Sequence, residues 1–426
     1  MSDPFSGDSQ RLPRRAAIVV FLAFAAAYFF SALLRAVTAT LSPVLTETFS
    51  LHARDLGLLA GGYFLGFAAV QLLLGAWLDR YGPRRVSLGL LCLAVTGCVV
   101  FALSAGFTGL MLARVLMGVG VAGGLMAPLT GYRRWFDAGM QLRANAWMLM
   151  TGSLGMLAST LPVQWLLPVL GWRGLFWLLA GLIVLAMVGI AVLVPRWRQD
   201  SGDAAAPVGR PQAVAPGPGS YAQVWSNAYF RRAVPLGAIS FGGMVAIQSL
   251  WAGPWLTNVA GQTPLTAATG LFWMNASMLV AFWSWGLVLP RLSARGVSMD
   301  GLVAWIQPFG FLALGMLVFA GPALGAASFV LLALYCVLST PSAQVQPMIA
   351  MGFPPELAGR ALSAFNLMIF LGIFVVQWGI GLGADALEAL GWSPADALRG
   401  AMAGFGLLSL ACWLQFVLSG RRAPAA

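Results

Sequence analysis

Two arginines interrupt apolar stretches of this sequence, Arg35 and Arg114. A guanidinium presents its donors in a planar fork that fits a carboxylate or phosphate through two parallel hydrogen bonds. A charge in apolar surroundings is costly, so each position reads either as a binding group for an anion or as a structural one. Arg35, near the end of its stretch, can also snorkel to lipid headgroups, and Arg114 can bond helix carbonyls at its own depth. Tyr28, Ser31 and Arg35 fall at i, i+3 and i+7, one face of a helix. Such a polar stripe has to meet water, solute or another helix. Later in the chain Gln248, Trp251 and Trp255 share a helix face, Asn275 sits in the next apolar stretch, and Asn366 and Gln377 share a third face. These ten residues form the candidate substrate-binding set.

Other chemistries lack residues. The single histidine, His52, lies in a short polar loop. Cys92, Cys98, Cys336 and Cys412 fall inside apolar runs and read as buried free thiols, with no disulfide or metal spacing. No H-E-x-x-H and no Walker loop occurs, so neither a metal centre nor a cofactor is expected. No carboxylate lies within an apolar run. Glu47, Asp55 and Asp385 sit at one set of ends, and Asp79, Asp137, Asp300 and Glu356 in the opposite loops. A membrane-embedded enzyme would need acids, histidines or cysteines arranged as a site, so no enzyme is expected.

The elements that position these groups follow from composition. Of 426 residues, 60% are hydrophobic and 9% charged, against about 25% charged in a soluble domain. The solvent for most of the chain is therefore lipid. A window of about 19 residues places twelve spans. They are 16–39, 55–78, 86–104, 108–130, 144–168 and 174–194, then 233–258, 265–289, 301–320, 325–350, 361–384 and 397–418. Prolines interrupt 144–168 and 325–350. Residues 1–15 read as a cytoplasmic tail, 16–194 as one six-helix bundle, 195–232 as a cytoplasmic linker rich in Pro, Gly and Ala, 233–418 as a second bundle and 419–426 as a tail. All 24 basic residues are Arg, and 19 of them fall in the tails and in the loops after even-numbered spans. That bias puts both termini in the cytoplasm, and it accounts for the net charge of +11 without nucleic acid.

The two halves repeat. Gly75, Arg80, Arg84, Val86 and Ser87 align with Gly286, Arg291, Arg295, Val297 and Ser298. Leu170-Gly171-Trp172 recurs as Leu390-Gly391-Trp392. Matches in one order argue an internal duplication, a common architecture of secondary transporters.

The run Gly75-x-x-x-Asp79-Arg80-x-Gly82-x-Arg84-Arg85 resembles the loop signature of the major facilitator superfamily. Arg114-x-x-x-Gly118-x-Gly120 resembles that family's second motif. The resemblance implies an all-α membrane protein of twelve transmembrane helices in two pseudo-symmetric six-helix bundles. It also implies spans 3, 6, 9 and 12 on the outside and a gating role for Gly75, Asp79, Arg80, Gly82, Arg84 and Arg85, in which Asp79 forms a charge cluster with the arginines. Span 5 lacks the Gly-Pro pair of drug:proton antiporters. Arg35, before Ser42-Pro43, resembles the span-1 arginine of organic-anion carriers, although Leu34 stands where those families carry Asp. The expectation is a monomeric secondary transporter of the bacterial inner membrane, moving a small organic anion by alternating access, with symport as its mode. A coupling proton or ion is allowed, lipids surround it, and a neutral or amphipathic solute is the alternative.

The orientation has a direct test. Ser220→Cys, in the linker, should stay unlabelled by an impermeant thiol reagent added outside intact cells, whereas Ser50→Cys should react. The reverse pattern contradicts the arginine count.

Overall fold

The computed structural model describes residues 11–197 and 219–420. Residues 1–10, 198–218 and 421–426, with most of the expected linker and the ends of both tails, lie outside the described residues. Among the described residues, nine helical runs are long and apolar enough to cross a membrane. They make twelve spans because three runs hold two crossings or parts of two. Gln71–Leu103 completes span 2, which Ala53–Ala69 begins, and then reverses at Gly82 into span 3. Leu161–Leu193 completes span 5, begun by Ala138–Ala158, and reverses at Gly171 into span 6. Met299–Ile349 holds spans 9 and 10, joined through the 3-10 turn Gly321–Ala327.

The reversals are made by glycine at left-handed φ, +76° at Gly82 and +64° at Gly171, where a Cβ is disfavoured. Gly391, in the repeated Leu-Gly-Trp, takes φ +90°, so the duplicated sequence encodes a duplicated turn. Prolines mark the interrupted spans. Span 5 breaks at Ser159–Thr160 just before Pro162, and span 10 passes through the 3-10 turn Thr340–Gln344 at Pro341. Span 4 also breaks, between Phe107–Val121 and Met126–Trp135. Span 7 contains three wide π-turns, Leu236–Phe241, Ile247–Trp251 and Trp255–Val259. Windowed hydropathy sees none of these, because they change the path of a helix without changing its apolarity.

Packing follows small residues. A Cβ on Gly118 would overlap the Tyr63 carbonyl oxygen, and one on Gly120 would overlap the Ala94 backbone nitrogen, so span 4 nests between spans 2 and 3. Gly66 meets the Val115 carbonyl in the same way. Without a hydrophobic force between helices in lipid, such backbone approach supplies the contact. Small-xxx-small spacing also occurs in span 11, at Gly379 and Gly383. Gly379 faces open space and Gly383 only ordinary contacts. Gly372 and Gly381 make the close approaches instead, to the carbonyls of Ala238 and Ala53. Small-xxx-small spacing marks a face but not the face that a neighbour covers. Spans 6, 9 and 12 carry rows of exposed apolar side chains, including Leu185, Trp305, Phe319 and Leu407, as helices against lipid do. Trp172, beside the Gly171 reversal, is buried against Phe49 and Phe101.

The halves meet through spans 1 and 7, 2 and 11, and 5 and 8. Gly57 sits on the Gln377 carbonyl and Gly253 on the Ala39 carbonyl, both toward the end away from the termini. At the other end Met126–Trp135 of span 4 packs on spans 1, 3 and 5 of its own half, and span 10 likewise packs within its own half. The molecule is a wedge, shut away from the termini and open toward them.

Gly118→Leu should destabilise the fold, because its side chain would have to displace the span 2 backbone. Overpacking typically costs about 1–3 kcal/mol. A thermal melt of the detergent-purified protein should show a clear fall in midpoint, while Gly404→Leu, where a Cβ meets nothing within 4 Å, should melt near the parent.

Candidate functional site

The first half gathers Tyr28, Ser31, Arg35, Tyr63 and Arg114 from spans 1, 2 and 4. Their positions follow from the packing just described. Gly152 of span 5 and Gly124 of span 4 leave room for the Tyr28 ring, and Gly124 also lies against Ser31. Tyr63 donates from its hydroxyl to the Ser31 carbonyl oxygen at 2.9 Å. Arg35 lies beside the hydroxyls of Tyr63 and Tyr28. Its side chain is half-buried, yet its Nε is shielded from solvent and has no acceptor. Ser31 Oγ is also buried without a partner.

Arg114 is 1% exposed. Its Nη1 donates to the Leu34 carbonyl at 2.8 Å and its Nε, more weakly, to the Leu59 carbonyl at 3.4 Å. The guanidinium stacks 5.0 Å from the Tyr63 ring centre, and Nη2 has no partner. Arg114 therefore ties span 4 to the backbones of spans 1 and 2 and keeps one donor in reserve. Tyr63 joins both arginines and was not singled out from the sequence. Its signal was its place between Gly62 and Gly66, on the stretch of span 2 that packs against span 4.

The second half supplies amides and indoles. Gln248 Nε2 donates to Asn275 Oδ1 at 3.0 Å, and Asn275 Nδ2 to the Leu271 carbonyl at 2.8 Å. Gln377 Nε2 donates to Ser249 Oγ at 3.0 Å, leaving Oε1 buried without a partner. Trp251 Nε1 donates to the Gln377 carbonyl at 3.1 Å, while the buried Trp255 Nε1 has no partner. The Trp251 ring and the Gln377 carbonyl both lie against Gly57 of the first half, so these two residues stand in the closed contact between halves. Asn366 is separate. It is half-buried nearer the open end and accepts from Gln346 Nε2 at 2.6 Å.

The loop after span 2 differs from its expected form. Among the described residues no ion pair of Asp79 within 4 Å is found, and the cation acting on it is Arg133 of span 4. The Gly82 reversal sends Arg84 the other way, where its Nη2 donates to the Ala191 carbonyl of span 6. Gly82 itself is covered by Trp197. Gly75, Arg80 and Arg85 are exposed.

A family model described as the Major Facilitator Superfamily matches residues 24–377. The chain belongs to this superfamily. Among solved structures, a bacterial homolog of the human lysosomal transporter Spinster, in an inward-facing and unoccupied conformation, aligns with a TM-score of 0.76 at 18% identity, covering 97% of this chain and 100% of that one. A D-xylose–proton symporter aligns with a TM-score of 0.72 at 15% identity, covering 94% and 97%. At such identities the likeness is one of fold. A triacylglyceride transporter of Mycolicibacterium smegmatis is 32% identical over 152 residues, 32% of this chain and 25% of that protein. A probable L-galactonate transporter of Escherichia coli is 28% identical over 153 residues, 35% and 31%. The chain thus spans about a quarter to a third of the length of the curated relatives that it matches.

The two arginines should separate by stability. Arg114→Gln leaves helix carbonyls short of their donors, a loss of about 1–3 kcal/mol for each buried group stranded. It should lower the thermal midpoint of the purified protein markedly. Arg35→Gln, half-exposed and bonded to no carbonyl, should melt within about 0.5 kcal/mol of the parent, as substitutions away from such bonds do.

Proposed function

We propose that this chain is a secondary active transporter that carries a small organic anion across the bacterial inner membrane by alternating access. The observation that carries the reading is the set of unsatisfied donors around Tyr63. Arg35 Nε, Arg114 Nη2 and Ser31 Oγ are all buried without an acceptor. Buried polar groups are normally paired, and three stranded together beside two guanidinium groups call for an acceptor-rich, negatively charged guest. No acid of the chain supplies that charge, because none lies within a span. The matched Escherichia coli protein is named for L-galactonate, a sugar-acid carboxylate, which agrees in charge.

In this reading the open wedge faces the cytoplasm, with both termini and the 195–232 linker on that side. Tyr28, Ser31, Arg35 and Arg114 hold the anion. Gln248, Asn275, Trp255 and Asn366 meet its body as the halves rock, and Trp251 with Gln377 forms part of the closed contact behind it. Asp79, held near Arg133, biases the opposite gate together with Gly75, Arg80, Gly82, Arg84 and Arg85. The protein works as a monomer, without cofactor or metal and without catalysing a reaction.

A neutral or amphipathic solute is the second reading. It rests on the unpaired indole of Trp255 and on the matched triacylglyceride transporter of Mycolicibacterium smegmatis.

A thermal-shift screen of the purified protein against anionic, neutral and cationic metabolites separates the two, since a ligand that binds the folded state stabilises it. Anions should give the largest shifts. Arg35→Lys keeps the charge but loses the fork, and Arg35→Gln loses both. Breaking a desolvated charge contact costs about 2–5 kcal/mol, some thirtyfold to several thousandfold in affinity. If the best ligand is neutral and Arg35→Gln binds it as the parent does, the second reading takes over.

A further inference from the structure

At the shut end of the wedge a second charged cluster crosses between the halves. Arg54, at the start of span 2, places its Nε 3.5 Å from Asp385 Oδ2 of span 11. The Arg54 backbone N–H donates to the same oxygen at 3.4 Å. The two helices are close enough for this because Gly381, one turn before Asp385, has no side chain. A Cβ there would overlap the Ala53 carbonyl. The Asp385 side chain is 14% exposed, and its other oxygen, Oδ1, is buried without a partner. Every other ion pair found among the described residues lies within one half.

We propose that Arg54 and Asp385 form the electrostatic latch of this end of the wedge, and that a single proton on Asp385 releases it. The chain has no carboxylate inside a span with which to couple proton binding to its rocking motion. Asp385 is an acid at an end of a span, and it bridges the halves. As a carboxylate it holds the Arg54 guanidinium and the helix start. As a neutral acid it loses the charge that attracts Arg54, while Oδ1, now unpaired, gains the capacity to donate as a hydroxyl. Protonation thus weakens the shut state at the point where span 2 must part from span 11. The site deepens the transport reading by naming a coupling group, and it rests on that reading only for its use.

Other charged groups surround the latch. On the span 2 side Asp55 lies 3.8 Å from Arg54 Nε, and His52 Nδ1 lies 3.4 Å from Asp55. His52, the cap residue of span 2, also donates its backbone N–H to Asp55 Oδ2 at 3.1 Å. Glu388 follows Asp385 on its own helix. On span 12, Asp396 and Arg399 are bonded to each other at 2.6 Å. Asp55 competes mildly for Arg54 but stays within the first half, so it cannot close the gap between halves.

The test measures the gap directly and needs no substrate. Spin labels at Ser50 and Ser393, in a background with the four cysteines replaced, report the distance across the shut end by pulsed electron resonance. The parent should show one short distance at neutral pH and a growing long population on acidification. Asp385→Asn and Arg54→Gln should each raise the long population at neutral pH by about fivefold, the effect of roughly 1 kcal/mol for a partly exposed pair. Asp385→Asn should respond no further to acid. The exchanged pair, Arg54→Asp with Asp385→Arg, should restore the short distance, which a variant that merely misfolds would not do. His52→Gln should keep the parent's acid response. Unchanged distances in Asp385→Asn, or an acid response lost in His52→Gln and kept in Asp385→Asn, would overturn the proposal. Neither result depends on whether anions bind at Arg35.

Discussion

Backbone against backbone, with no side chain between, is the contact on which this architecture rests. Gly57 on the Gln377 carbonyl, Gly381 on the Ala53 carbonyl and Gly253 on the Ala39 carbonyl bring spans 1 and 2 against spans 7 and 11 at the shut end. In lipid, apolar surface gains little by leaving its solvent, so dispersion between closely fitted helices has to supply the attraction. Glycine surfaces fit closely without interlocking. Phe370 and Phe374 of span 11 lie against Phe64, Phe67 and Gly61 of span 2, so aromatic rings share the boundary with glycine, and the directional ties across it are few. Among the described residues, Arg54 bonds Asp385 through both its side chain and its backbone N–H.

Within the halves the fitting is different. Gly118 and Gly120 set span 4 between spans 2 and 3, and Arg114 then bonds carbonyls of spans 1 and 2 across that contact. The charge is stabilised by main-chain dipoles and by the face of Tyr63. In the second half, Ser240 and Ser409 bond each other at 2.9 Å, and the Gln248–Asn275 pair links span 7 to span 8. Polar bonds therefore stitch each half into one body, while the boundary between halves is left mostly to glycine and aromatic rings. That division lets the halves move as units.

Much of this could be read from the residues. Apolar runs fix the number of spans, since hydropathy is a property of each stretch by itself. Gly82, between Tyr81 and Pro83, and Gly171, between Leu170 and Trp172, mark turns, and both take a left-handed φ. The polar stripe Tyr28, Ser31, Arg35 does gather on one side of span 1, beside Tyr63. The parts that stayed hidden depend on partners. Tyr63 gains its importance from Arg35, Arg114 and Ser31, which lie far away in sequence. Gly381 matters and Gly379 does not, because only the first faces span 2. Asp79 answers to Arg133 because the Gly82 reversal turns Arg84 toward span 6. The π-turns of span 7, two of which hold Trp251 and Trp255, leave no mark on its apolarity and so stay hidden from a sequence reading.

The placement of charge carries one last consequence. Arg114 is provided for by carbonyls and an aromatic face, so its charge sits stably in the closed core. Arg35 has two tyrosine hydroxyls beside it and, among the described residues, no acid paired with it. While the wedge is open, water reaches its half-buried side chain. When the halves close over the site, that water is displaced, and an uncompensated guanidinium in a dry core is strongly unfavourable. On the proposed reading, an anion seated between Arg35 and Arg114 removes that penalty and an empty site retains it. The same group would then both select the solute by charge and oppose closure of the empty protein, so that occupancy and motion are linked by one electrostatic cost.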